Sequence, residues 1–209
     1  MELAYEKLRT TPVAEVPFRH VVVPGFVPPA VLAEVVRDLP AMTRGGSFPI
    51  GSLTLGPHAA ALMAALEGPE FRTAVAGLFG LDLTDAPTMV TLRGTSRDRD
   101  GQIHTDSDDK RVTVLLYLNP QTEAWAKQEG CLRLLRSADD IEDYAVEVPP
   151  VDGTLLVFPN APNSWHGHKR FLGQRYVVQL NYMTSGDAVR SELRRHRFSA
   201  FLKKLTPAS

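Results

Sequence analysis

The spacing of apolar residues changes character near residue 88. Before it, the pattern is mainly helical. Residues 18–27, FRHVVVPGFV, read as a strand closed by Pro24-Gly25. Pro28-Pro29 then opens a helix running to about Asp38, with proline at the first helical positions and Leu32, Val35, Val36 and Leu39 on one stripe. Residues 41–56 are rich in Gly and Ser and read as a loop. Two helices follow at 57–67 and 69–79, the second stopped by Gly80. From 88 onward the runs are short and β-prone: Thr88–Arg93, Val112–Leu118, Cys131–Leu135, Ala145–Val148, Thr154–Phe158 and Tyr176–Tyr182. Turn residues such as Asn119-Pro120, Asp152-Gly153 and Pro159-Asn160 separate them. The tail at 187–205 reads as a basic amphipathic helix whose apolar side is Leu193, Phe198, Phe201, Leu202 and Leu205. The expected fold is mainly β with flanking helices, a sandwich or jelly roll behind an N-terminal helical layer.

Composition narrows the class but not the chemistry. The chain has 209 residues, 44% hydrophobic and 22% charged, ordinary values for one soluble domain. We expect a single domain: 1–87 as a strand plus helical support, 88–183 as the β core, and 184–209 as a C-terminal helix and tail. A net charge of -1 gives no global reason to expect a nucleic-acid partner. Cys131 is the only cysteine, which forbids an internal disulfide and suits a cytoplasmic location. No apolar run approaches the ~20 residues that span a bilayer, and the N-terminus lacks the apolar stretch of a signal peptide.

The chemistry lies in three separated pieces. His104-Thr105-Asp106 places two metal-binding side chains at i and i+2, the same side of an extended segment. Far downstream, His166 and His168 offer a third ligand and share parity, so both can face the same site. Two imidazoles and a carboxylate suit Fe(II) and leave positions open for an oxidisable cosubstrate and for O2. Arg175 begins the apolar run Arg-Tyr-Val-Val-Gln-Leu-Asn-Tyr, where a charge needs a partner, and its planar fork suits a carboxylate. Neither the HExxH pattern nor the Cys cluster of a zinc site is present.

Taken together, these residues resemble the prolyl-hydroxylase-like branch of the Fe(II)/2-oxoglutarate-dependent dioxygenases. The chain carries His104-Thr105-Asp106, a strand ending Tyr117-Leu118-Asn119, a turn Gly130-Cys131 leading into Leu132-Arg133, and His166 with Arg175 nine positions on. The resemblance covers roughly 18–183. It implies a double-stranded β-helix, with iron on His104, Asp106 and His166 and the cosubstrate 2-oxoglutarate on Arg175. Tyr117 matches the position whose phenol touches the distal carboxylate of that cosubstrate. The second glycine usual before Leu-Arg is here Cys131, which bears on the turn. The resemblance implies oxidation of a substrate C–H bond, with release of succinate and CO2. The carboxylate at Asp106 argues against halogenation, because related halogenases have a small residue there.

The substrate is less legible. Arg93, Lys110 and Arg111 flank the HxD segment and suit an anionic group on a substrate, with Arg93 favoured because it ends an apolar strand. Trp165 and His168 are candidates for lining the pocket. A small molecule and a peptide or polymer both remain open as substrate. The basic tail helix suits packing on the outer sheet, a homodimer or an acidic partner. Thr113 and Leu115 share parity with Tyr117, and Gln179 and Asn181 with Arg175. His20, His58 and His196 read as structural or surface residues. Two rival readings use the same ligands: a cupin-like isomerase or hydrolase without 2-oxoglutarate, and a non-catalytic module that binds metal or 2-oxoglutarate.

Overall fold

Alternate residues of the central strands enter two different cores, and this division places the site. The computed structural model describes residues 1–98, 100–121, 125, 127 and 129–194. Its helices are α1 (Tyr5–Thr10), α2 (Pro29–Arg37), α3 (Pro57–Glu67) and α4 (Pro69–Phe79). Its strands are β1 (Val21–Val23), β2 (Phe48–Pro49), β3 (Thr88–Ser96), β4 (Lys110–Tyr117), β5 (Leu132–Leu135), β6 (Tyr144–Val148), β7 (Leu155–Pro159), β8 (His166–His168) and β9 (Gly173–Met183). A six-stranded antiparallel sheet runs β1-β7-β4-β9-β3-β2, and a three-stranded sheet runs β6-β5-β8. This is the mixed fold expected from the sequence, with antiparallel sheets and flanking helices, and it is consistent with a double-stranded β-helix.

Val112, Val114 and Leu116 of β4, Leu155 and Val157 of β7, and Val178, Leu180 and Tyr182 of β9 pack with Leu62, Leu66, Phe71 and Val75 of the helices. The intervening Leu115, Tyr117, Leu156, Phe158 and Val177 pack with Leu132 and Leu134 of the smaller sheet. Period-two alternation in strands buried on both faces produces this split. The helical layer braces one face of the large sheet. The other face is free to line a cavity.

Helices α2, α3 and α4 begin and end close to where the sequence predicts, whereas α1 is not expected from it. α2, α3 and α4 each carry proline in their first turn, and α4 ends at Gly80, whose φ of 64° is a left-handed cap. The strand expected at 18–27 is shorter, because Ala14 and His20 form only an isolated bridge and Pro24-Gly25 turns the chain out. The loop expected at 41–56 contains β2 and a 3-10 turn at Ile50–Ser52. Residues 186–194 are helical, and Leu193 packs toward Met89 and Met183. The rest of the expected tail helix, with His196, Phe198, Phe201, Leu202 and Leu205, lies outside the described residues. Among the described residues, no helix is long and apolar enough to cross a membrane.

Candidate metal centre and cosubstrate pocket

His104 and His166 face each other across a two-residue bridge. Each backbone N–H donates to the other's carbonyl at 3.0 Å, and the imidazole centroids lie 4.3 Å apart. The bridge adds His104 beside β8, at the open edge of the smaller sheet. His104 Nδ1 lies 2.8 Å from Gln102 O, and His166 Nδ1 lies 2.9 Å from Ser164 O. A carbonyl only accepts, so each Nδ1 carries the proton and each Nε2 presents its lone pair. Asp106 completes the group, and one ligand atom from each of the three side chains falls within 4.8 Å of the others.

Asp106 is held from two sides. Lys110 Nζ donates to Oδ1 and Thr113 Oγ1 to Oδ2, each at 2.5 Å, and Thr113 also reaches Asn181 Oδ1 at 3.1 Å. Burial works against ionisation, but Lys110, His166 and these hydrogen bonds outweigh it and keep the carboxyl below its usual range. The ligand is therefore ionised and oriented. Burial pushes His166 down to about 4, with His104 adding to the effect. Burial, followed by the Arg175 charge, does the same to His168. Both rings stay neutral at neutral pH, the form a metal ligand requires.

This gives a pH prediction for the metal-free chain. The folded state disfavours protonation of both rings, so their contribution is fully present above the ordinary value of 6.5 and fades as pH falls toward about 4. Between pH 7.5 and 5 the expected loss is on the order of 1–2 kcal/mol per ring. Urea unfolding of metal-free protein across this range checks it; a flat profile contradicts the buried, neutral imidazoles.

The triad opens into a cavity of about 450 Å³ lined by side chains of β3, β4, β8 and β9. Its depth is marked by Arg175 and Tyr117. Both are buried, and Arg175 Nη2 and the Tyr117 hydroxyl have no hydrogen-bond partner. The guanidinium carbon sits 5.4 Å from the Tyr117 ring centroid, and Nε donates to Gly130 O at 2.8 Å. Among the described residues no carboxylate pairs with Arg175. A buried cation without a counter-ion is costly, so this end of the cavity is built for an anionic guest. Burial pushes the Tyr117 phenol up to about 12, which keeps its proton available for donation.

Local sequence explains how Arg175 is placed. Asn119 Oδ1 accepts the Tyr176 N–H at 2.6 Å, while Asn119 Nδ2 donates to Pro150 O at 2.6 Å and Tyr176 O at 3.1 Å. This clamps the start of β9 to the end of β4. Gly130 has φ of 72°, and a Cβ there would meet Phe171 and Trp125 within 3.1 Å. The turn therefore requires its glycine, whereas Cys131 beside it is simply buried.

The model of the 2OG-Fe(II) oxygenase superfamily matches residues 93–183, a span that contains the triad, Tyr117 and Arg175. Within residues 93–183 the chain carries the pattern of that superfamily. It is an oxidoreductase that uses Fe(II) and 2-oxoglutarate, and His104, Asp106 and His166 are its facial triad. No curated protein sequence matches the chain. Among solved structures, a Pseudomonas putida prolyl-4-hydroxylase is 20% identical with a TM-score of 0.57, over 86% of this chain and 90% of that one. A prolyl 4-hydroxylase from Phytophthora capsici is 18% identical with a TM-score of 0.56, over 98% and 76% of the two chains. A Trichoplax adhaerens prolyl hydroxylase, in complex with a hypoxia inducible factor peptide fragment, is 19% identical with a TM-score of 0.53, over 90% of each chain. At these identities the likeness speaks for the fold.

The remaining site residues of this oxygenase divide. Arg93, Lys110 and His168 line the cavity with the triad. Arg111 does not: the register shifts between Lys110 and Val112, which turns Lys110 inward and sends Arg111 Nη2 to Asp82 O at 2.7 Å. Trp165 is half-buried outside the cavity lining. Thr113, Leu115, Gln179 and Asn181 do line it, in keeping with their parity. Two lining residues had no signal in the sequence. Glu192 is buried on the C-terminal helix, and Ser47 comes from the loop before the 3-10 turn.

Proposed function

We propose that this chain hydroxylates a C–H bond of a small molecule, consuming O2 and 2-oxoglutarate and releasing succinate and CO2. The observation that carries the reading is the buried Arg175–Tyr117 pair, whose unsatisfied Nη2 and hydroxyl face the same cavity as the triad. In this reading Arg175 and Tyr117 hold the distal carboxylate of 2-oxoglutarate. Bound Fe(II) supplies the oxygen chemistry. The chain's own side chains do the rest. His104, Asp106 and His166 leave one side of the centre free, and Lys110 and Thr113 hold the Asp106 carboxylate in one orientation. Leu115, Leu132 and Val177 give the cavity apolar wall, which excludes water from the reacting groups.

The cavity size supports a small molecule, because about 450 Å³ lies within the usual range of small-ligand pockets. The Trichoplax relative binds a peptide. Here the C-terminal helix brings Glu192 to the cavity as an added wall, which supports a bounded pocket over an extended groove. The lone, buried Cys131 supports a reducing cytoplasmic setting. The test is coupled turnover. A substrate should gain one oxygen atom for each succinate formed. A product isomerised or hydrolysed without succinate overturns the proposal.

A further inference from the structure

We infer that Arg93 forms a second anion subsite in the cavity, one that takes a carboxylate of the substrate rather than of 2-oxoglutarate. The inference rests on the reading that Arg175 and Tyr117 take the cosubstrate.

Arg93 lies in β3 opposite Val177, and Val177 in turn lies opposite Tyr117 of β4. β9 therefore separates Arg93 from Tyr117, and neighbouring strands are spaced ~4.8 Å apart, which puts the two backbones about 10 Å from each other. Arg175 stands on β9 itself, diagonal to Arg93 across the β3–β9 pair, but its guanidinium is engaged on the β4 side, against the Tyr117 ring and Gly130 O, which leaves the Arg93 fork as a separate donor on the β3 side. Met89, Thr91 and Arg93 share one face of β3, and all three line the cavity. The bulge after Arg93 breaks the register between Arg93 and Thr95. Gly94 permits it by letting the backbone approach the Met42 side chain, where a Cβ would sit 2.2 Å from Met42 Cβ.

The guanidinium is held but not satisfied. Its neighbour Asp100 lies 3.6 Å away, too far for a hydrogen bond. Asp100 is engaged by Arg97 instead, which donates its backbone N–H at 2.9 Å, Nη2 at 3.2 Å and Nε at 3.4 Å. Arg93 donates no hydrogen bond to any described residue, and about a third of its side chain is exposed. A planar fork with free N–H groups, pointed into a cavity and steadied by a nearby acid, matches one carboxylate bidentately. Phosphate fits less well. The subsite offers one guanidinium and no helix N-terminus, and the Asp100 charge opposes a dianion.

The experiment uses protein loaded anaerobically with Fe(II) and saturating 2-oxoglutarate. Thermal stability is followed against benzoate, its neutral isostere benzamide, and inorganic phosphate, at constant ionic strength. The expected result is a saturable rise in Tm with benzoate alone, while the visible band of the iron–2-oxoglutarate chelate persists. Arg93→Gln should weaken benzoate binding about tenfold or more, Arg93→Lys should retain part of it, and neither should move the 2-oxoglutarate midpoint. Equal binding of benzamide, stronger binding of phosphate, or unchanged benzoate binding in Arg93→Gln overturns the subsite. A tenfold shift of the 2-oxoglutarate midpoint in Arg93→Gln, or loss of the band as benzoate binds, assigns the anion to the cosubstrate site and also overturns it. Absence of the band from wild-type protein before any benzoate is added is a different failure, that of the cosubstrate reading.

Discussion

His104→Ala and Asp106→Ala each abolish iron-dependent consumption of 2-oxoglutarate, a loss well beyond 100-fold. Changes in the hydrogen-bonding shell of a metal site already cost about 10–100-fold, and these variants remove a ligand itself. The two should differ in stability. His104 is exposed, and its bridge to His166 is made by backbone groups that alanine retains. Asp106 is buried and accepts from both Lys110 and Thr113, so its removal strands a half-buried ammonium and costs more. Asp106→Asn keeps the shape and separates the two effects. Succinate formation with Fe(II) present, beside the unfolding midpoint of each variant, provides the check. Full turnover in either alanine variant removes that residue from the metal site.

Arg175→Ala raises the 2-oxoglutarate requirement with a smaller effect on maximal rate. Deleting one member of a buried, hydrogen-bonded charge pair costs about 2–4 kcal/mol, roughly 30- to 1000-fold in affinity. Tyr117→Phe removes one neutral donor and should cost about tenfold. Arg175→Met is the informative companion. In the metal-free chain Nη2 is buried without a partner, so an apolar side chain of similar length should cost apo stability little, the Nε bond to Gly130 O being offset by relief of the buried charge, while cosubstrate affinity falls. A residue of purely structural importance would behave the other way. An unchanged 2-oxoglutarate dependence in Arg175→Ala contradicts its role.

Much of this was legible because the two periodicities are clean. Proline at each helix start and glycine after α4 mark the helical layer, and alternation in β4 and β9 assigns Thr113, Leu115, Tyr117, Gln179 and Asn181 to the cavity face from parity alone. The metal ligands were visible through their types and order. Their meeting point was not, since β8 is three residues long and exists through pairing with Leu132–Leu134 and the His104 bridge. Arg111 shows how a bulge defeats parity: one shift of register exchanges the faces of Lys110 and Arg111. α1 is six residues with one buried side chain, too short to show a period. Glu192 sits on a helix whose sequence reads as basic and amphipathic, and nothing local predicts that it reaches the cavity.

In our proposal one cavity holds a metal on His104, Asp106 and His166 and 2-oxoglutarate on Arg175 and Tyr117. The most direct test is anaerobic titration of Fe(II) and 2-oxoglutarate into metal-free protein, followed by visible absorption. The expected result is a metal-to-ligand charge-transfer band that needs both additions, disappears in His166→Ala, and requires more 2-oxoglutarate in Arg175→Ala. Folded, iron-loaded wild-type protein that gives no band on adding 2-oxoglutarate would contradict it.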